Sequence, residues 1–105
     1  MDERLVRLCA ASEVTEDTPA RVEVEGVAYA VFLLKDTYHV LEDACSHGPG
    51  SLSEGYVEGE EVECPFHQGR FHIPTGQPTL APCTIPMRAF KPQLIGEDLY
   101  FDRTA

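Results

Sequence analysis

Two short clusters hold the residues best suited to chemistry in this chain: Cys45-Ser46-His47 and Cys64-Pro65-Phe66-His67. Sixteen residues, 48–63, separate them. Each cluster puts one thiolate and one imidazole within a single tight turn, so both side chains can aim at one point. The spacer has a pattern of its own. Tyr56-Val57, then Glu58-Gly59-Glu60, then Glu61-Val62-Glu63 reads as a hairpin, and its base would bring the two clusters together. Two loops that each give one Cys and one His predict a four-ligand site with mixed nitrogen and sulfur donors.

Three metal chemistries compete for such a site. Zinc accepts two Cys and two His in a tetrahedron. Its usual spacing pairs like with like and sets the second pair on a helix, whereas the order here is mixed and no helix follows. A mononuclear catalytic iron prefers two His and a carboxylate, and two thiolates do not fit that pattern. A 2Fe-2S cluster with two Cys on one iron and two His on the other gives the alternating order a reason, because each loop then supplies one ligand to each iron.

The elements that must hold these clusters are short. Leu5–Ala10 reads as an N-terminal strand. Residues 12–19 are polar and turn-like, with one helical turn capped by Ser12. Val22, Val24 and Val27 open a β-rich stretch with a tight turn at Glu25-Gly26. Val27–Leu34 is β-branched and aromatic enough for a buried strand, Lys35-Asp36 breaks it, and Thr37–Glu42 alternates as the returning strand. Residues 92–95 and 99–102 form a second hairpin around Gly96-Glu97-Asp98. No window sustains helical periodicity for three turns. Eight Gly and eight Pro in 105 residues punctuate many short elements, which predicts an all-β sandwich or barrel. Residues 43–83 hold three of the four cysteines and three of the four histidines, the composition of a loop-rich, site-bearing insert on a β scaffold.

Charge narrows the function classes. Eighteen acids face eight bases, for a formal net charge of -10. Nucleic-acid binding is excluded, because phosphate contacts need clustered Lys and Arg. The longest apolar run is Val27–Leu34, far short of the roughly 20 residues of a membrane span. Met1-Asp2-Glu3-Arg4 opens with acids rather than the basic region of a secretory signal. A cytoplasmic chain is therefore expected, with cysteines as metal ligands or free thiols rather than disulfides.

The double motif and its flanks resemble the Rieske ferredoxins of bacterial aromatic-ring dioxygenase systems. The flanks are His47-Gly48, Gly55-Tyr56-Val57-Glu58-Gly59, Glu63-Cys64-Pro65 and His67-Gln68-Gly69-Arg70-Phe71. The resemblance covers essentially the whole chain. It implies a single all-β domain with the Rieske fold over residues 1–105. Antiparallel sheets would form a basal part, about 1–43 and 84–105, with a small cluster-binding insert at about 44–83. It implies one Rieske-type 2Fe-2S cluster, with Cys45 and Cys64 on the inner iron and His47 and His67 on the outer iron near solvent. Gly48, Gly50 and Gly69 would let backbone N–H groups approach the sulfides, Gln68 would stand beside them, and Pro82 would lie with Pro78 and Pro86 in a loop covering the cluster.

The same resemblance implies a carrier rather than an enzyme, passing single electrons from an NAD(P)H-dependent flavoprotein reductase to a terminal oxygenase. It also implies a monomer that contacts neither membrane nor nucleic acid. Two ferric irons, two sulfides, two thiolates and two neutral imidazoles sum to zero charge, so reduction adds one negative charge rather than a third. An oxygenase itself would need a separate mononuclear iron, and only His39 and His72 remain as imidazoles. Two alternatives use the same ligands: a small Rieske-like subunit of an assimilatory nitrite reductase, and a zinc-stabilised interaction module.

The other candidates have plainer readings. Cys9 is expected to be a buried thiol and Cys83 a structural one, His39 a half-buried strand residue, and His72 a neighbour of the site or a surface residue. Arg70 would pair with the acidic surplus or meet a redox partner. Glu54, Glu58, Glu60, Glu61 and Glu63 crowd the insert, which favours electrostatic steering toward basic partners over solubility alone. High-potential relatives resemble a pattern with two extra bridging cysteines and a serine that hydrogen-bonds toward the cluster. Gly50 and Phe66 stand at the cysteine positions here, and Gly69 at the serine position. Fewer hydrogen bonds to sulfur leave the reduced cluster less stabilised. A redox titration is therefore expected to place the potential near the low end of the Rieske range, about -150 mV; a value clearly above zero would contradict this.

Overall fold

The fold was taken from a computed structural model that describes residues 5–16, 18–43, 51–65, 69–80 and 87–102. The described chain is built of short antiparallel strands: β1 (Leu5–Ala10), β2 (Ala20–Val24), β3 (Val27–Leu34), β4 (Thr37–Glu42), β5 (Tyr56–Glu58), β6 (Glu61–Glu63), β7 (Arg70–His72), β8 (Pro78–Leu80), β9 (Ala89–Phe90), β10 (Gln93–Ile95) and β11 (Asp98–Asp102). They form three sheets, ordered β1-β11-β10, β2-β3-β4-β9 and β5-β6-β7-β8. This is the all-β architecture expected from the density of turn residues. Among the described residues no helix is long and apolar enough to cross a membrane.

Strand β3 explains how the sheets stack. Its side chains alternate between two faces. Tyr29 and Val31 join one core with Val40, Phe90, Leu99 and Phe101. Ala30 and Phe32 join the other with Leu41, Val62, Phe71 and Ile73. The β2-β3-β4-β9 sheet is therefore the middle layer, with β1-β11-β10 on one face and β5-β6-β7-β8 on the other. A strand buried on both faces reads as a continuous apolar run, which is why Val27–Leu34 shows no polar alternation.

The first core is closed by three rings. Tyr29, Phe90 and Phe101 meet edge to face, with centroid distances of 4.8, 5.3 and 5.7 Å. These pairs tie β3 and β9 of the middle sheet to β11 of the outer one. A register shift between Arg7 and Cys9 in β1 puts consecutive residues Leu8 and Cys9 into this core, the usual effect of a bulge. Burial pushes the Cys9 thiol pKa up, so Cys9 is the buried thiol expected of it.

Turn chemistry sets the register. Glu25 and Gly26 both have positive φ, as a two-residue hairpin turn requires, and Val24 faces Val27 across it. Gly59 and Gly96 supply the same conformation at the turns after β5 and β10. Two expectations are corrected. The turn after β1 is a 3-10 turn over Ala11–Glu13 rather than a helical turn capped by Ser12. The Glu13 carboxylate accepts from the Ala10 N–H at 2.9 Å. Pro78 lies not in a covering loop but in β8, opposite Phe71. That strand is at a sheet edge, where the missing N–H of proline leaves no ladder bond unmade.

Phe101 is fully buried at the centre of the aromatic contacts. Phe101→Ala is expected to cost about 3–5 kcal/mol, read as a lowered urea midpoint; a loss under 1 kcal/mol would mean the two sheets are not held together here.

Candidate metal centre

Of the expected cluster ligands and the residues expected to line the cluster, Cys64 and Gly69 are described. Cys45, His47, Gly48, Gly50, His67, Gln68 and Pro82 lie outside the described residues, as do Phe66, Cys83 and Pro86. What the structure shows is how the segments bearing them are anchored.

Segment 44–50 leaves and returns through a polar clamp. Asp43 is the one buried charged side chain among the described residues, 2% exposed. Its carboxylate accepts hydrogen bonds from the Ser51 hydroxyl and from the Ser53 N–H at 2.8 Å. Arg21 on β2 pairs with the same carboxylate oxygen that Ser51 uses, Nε to Oδ2 at 3.3 Å. The Asp43 backbone is also engaged: its N–H donates to the Ala28 carbonyl at 3.0 Å and its carbonyl accepts from the Leu52 N–H at 2.8 Å. A buried carboxylate is tolerated only with partners of this kind. No local pattern marks Asp43, so sequence reasoning passed over it.

Residues 64 and 69 close the end of the β6–β7 hairpin. Glu63 faces Arg70 in the ladder, and the Cys64 N–H donates to the Gly69 carbonyl at 2.8 Å. The Cys64 side chain has no solvent exposure and packs in one cluster with Leu52, Val62 and Phe71. Leu52 is the residue that closes the first segment. The two anchors are thus neighbours, and Gly55 shows how near they come: a Cβ there would strike the Glu63 carbonyl. The expected hairpin of residues 56–63 is present as β5 and β6.

Segment 81–86 returns through Met87, which belongs to the same cluster. The Met87 N–H donates to the Gly76 carbonyl at 2.8 Å. Gly76 has φ +76, and a Cβ on it would run into the Met87 carbonyl. Glycine is therefore required there by backbone contact, a need that its place in the sequence does not signal.

Acidic side chains surround the hairpin, and a cation organises them. Arg70 reaches Glu63 at 3.2 Å, Glu61 at 3.5 Å and Glu58 at 3.9 Å. The hydrogen bond to Glu63, first among the causes, pushes the guanidinium pKa up. His72 bonds to Glu60 at 3.3 Å and to the Thr75 hydroxyl at 2.9 Å. Burial, aided by the charge of Lys91, lowers the His39 pKa. The described donor, Cys64, suits an iron–sulfur group. Cys64 offers a soft thiolate at a dry position beside Val62 and Phe71, the environment in which thiolate–iron bonding is favoured over hydration.

Comparison with known proteins agrees with this anatomy. Over residues 4–91 the chain matches the Rieske [2Fe-2S] domain. It is 40% identical over 101 residues to the ferredoxin CarAc of Metapseudomonas resinovorans, covering 95% of this chain and 94% of that one. It is 46% identical over 88 residues to the anthranilate 1,2-dioxygenase ferredoxin subunit of Burkholderia cepacia, covering 84% and 82%. Among solved structures it is similar to a chain in the complex of reduced oxygenase and oxidised ferredoxin in carbazole 1,9a-dioxygenase. The TM-score is 0.88 at 37% identity, with 96% and 94% of the two chains covered. A buried cysteine at the end of a β-hairpin, flanking residues gathered in one core, and these matches lead to one conclusion: the chain belongs to the Rieske [2Fe-2S] domain family.

Proposed function

We propose that this chain is a one-electron carrier whose 2Fe-2S cluster is held by Cys45, His47, Cys64 and His67. The observation that carries the reading is the shared packing of Leu52 and Cys64. It brings the anchor of the Cys45–His47 segment beside the start of the Cys64–His67 segment. When bound, the cluster takes up and releases a single electron. The chain's own contribution is positional. Asp43 fixes both ends of the first segment, the Cys64–Gly69 hydrogen bond closes the second, and Gly76 receives the third at Met87. Gly48, Gly50, Gln68, Gly69 and Pro82 would line the cluster, with Gly69 the described one among them.

Its relatives are ferredoxin components of dioxygenase systems, which supports a carrier rather than a catalyst. By this reading the electron comes from an NAD(P)H-dependent flavoprotein reductase and goes to a terminal aromatic-ring dioxygenase. The chain would act as a cytoplasmic monomer with a basal part at about 1–43 and 84–105 and an insert at about 44–83. Exposed Glu54, Glu58 and Glu60 give the insert an acidic face suited to brief encounters with basic partners.

The purified protein should be red-brown, contain iron and acid-labile sulfide in equal amounts, and bleach on reduction. Cys64→Ser should abolish the normal visible spectrum; an unchanged spectrum would remove Cys64 from the ligand set, and a colourless zinc form would favour an interaction module. Asp43→Ala strands the Ser53 N–H and frees both ends of segment 44–50. It should lower stability by about 3 kcal/mol or more and reduce the iron retained per chain, measured by urea titration and iron assay.

A further inference from the structure

Glu63 and Arg70 form the last ladder pair before the turn that begins at Cys64. They lie one step outside the Cys64–Gly69 hydrogen bond, so both are chain neighbours of that closure. Their side chains are 27% and 26% exposed. A pair this sheltered is screened by salt less than a fully exposed one. Arg70 also meets Glu61 and Glu58. One cation therefore stands among three carboxylates on the outer face of the β5-β6-β7-β8 sheet.

Such a pair can act in two ways. As a brace, it holds β6 against β7, and deleting either partner removes the Glu63–Arg70 contact, deletion of Arg70 releasing Glu61 and Glu58 as well. As a charge, it is antisymmetric: Arg70 eases the arrival of negative charge nearby, and Glu63 opposes it. We propose that the Glu63–Arg70 pair tunes the reduction potential of the site by its charges, beyond bracing the Cys64 turn. The inference rests on the reading of Cys64 as a cluster ligand. The physical ground is adjacency. Glu63 is bonded to Cys64 along the chain, and Arg70 stands opposite Glu63, so both charges stand one residue from a proposed ligand of the cluster that takes up the electron.

The test compares midpoint potentials of the intact protein and of Arg70→Gln, Glu63→Gln and Arg70→Lys at low salt, with iron and sulfide content measured for each. Arg70→Gln should shift the potential down and Glu63→Gln should shift it up. Arg70→Lys, which keeps the charge and loses the planar fork, should stay near the parent. Raised ionic strength should narrow the gap between the two neutralised variants. Shifts in the same direction, or no shift in either, would overturn the proposal and leave the pair a brace. If Arg70→Gln fails to load iron, Glu63→Gln decides alone: an unmoved or lowered potential overturns the proposal. If the parent protein itself lacks a 2Fe-2S cluster, the functional reading fails first and this inference with it.

Discussion

Strand β3 packs against two cores at once, and the position of the metal centre depends on it. Tyr29 and Val31 point to one side, Ala30 and Phe32 to the other. A one-residue slip would exchange these faces, sending Phe32 against the aromatic trio and Tyr29 toward Cys64. The tight turns at Glu25-Gly26 and at Lys35-Asp36 prevent the slip by fixing register on both flanks, each with a positive-φ residue. The core that contains Cys64 is thus specified by turns that lie well away from it in sequence.

Beside that core the described residues flanking the site are joined by polar closures as well as by apolar packing. Asp43 ties Ser51, Ser53, Leu52 and Ala28 to one point. Cys64 and Gly69 share a backbone bond, and Gly76 meets Met87. Hydrogen bonds are directional where apolar contacts are not. Directional closures suit a site whose ligands must keep fixed geometry while its total charge changes. The arrangement also separates tasks: the apolar cluster supplies dryness, and the polar anchors supply position.

What the sequence disclosed follows from how local each signal is. The hairpins at Glu25-Gly26, Gly59-Glu60 and Gly96-Glu97 were readable because a turn's chemistry lies in its own residues. The run Val27–Leu34 was readable as a buried strand, though not as one that divides two cores. Strand β8 was missed because proline argues against a strand, and only tertiary context shows that Pro78 lies at an edge. Asp43 was missed for a deeper reason. Its partners Arg21, Ser51 and Ser53 come from two separate stretches of chain, and each looks like an ordinary surface residue. Of the expected ligand motif, the structure describes the Cys64 end, and there the expected hairpin of residues 56–63 is present as β5 and β6.

The pairing of β4 with β9 has a consequence for how this fold can change. Val40 faces Phe90 and Leu41 faces Ala89, and the Glu42 N–H donates to the Arg88 carbonyl at 3.2 Å. The chain thus departs from the middle sheet and rejoins it on adjacent strands, with all four proposed cluster ligands strung between. Lengthening a closed excursion costs little entropy when its ends are already fixed together. The stretch between the two strands can therefore vary in length at its turns, provided that Val62, Phe71 and Ile73 still cover Ala30, Phe32 and Leu41 of the middle sheet.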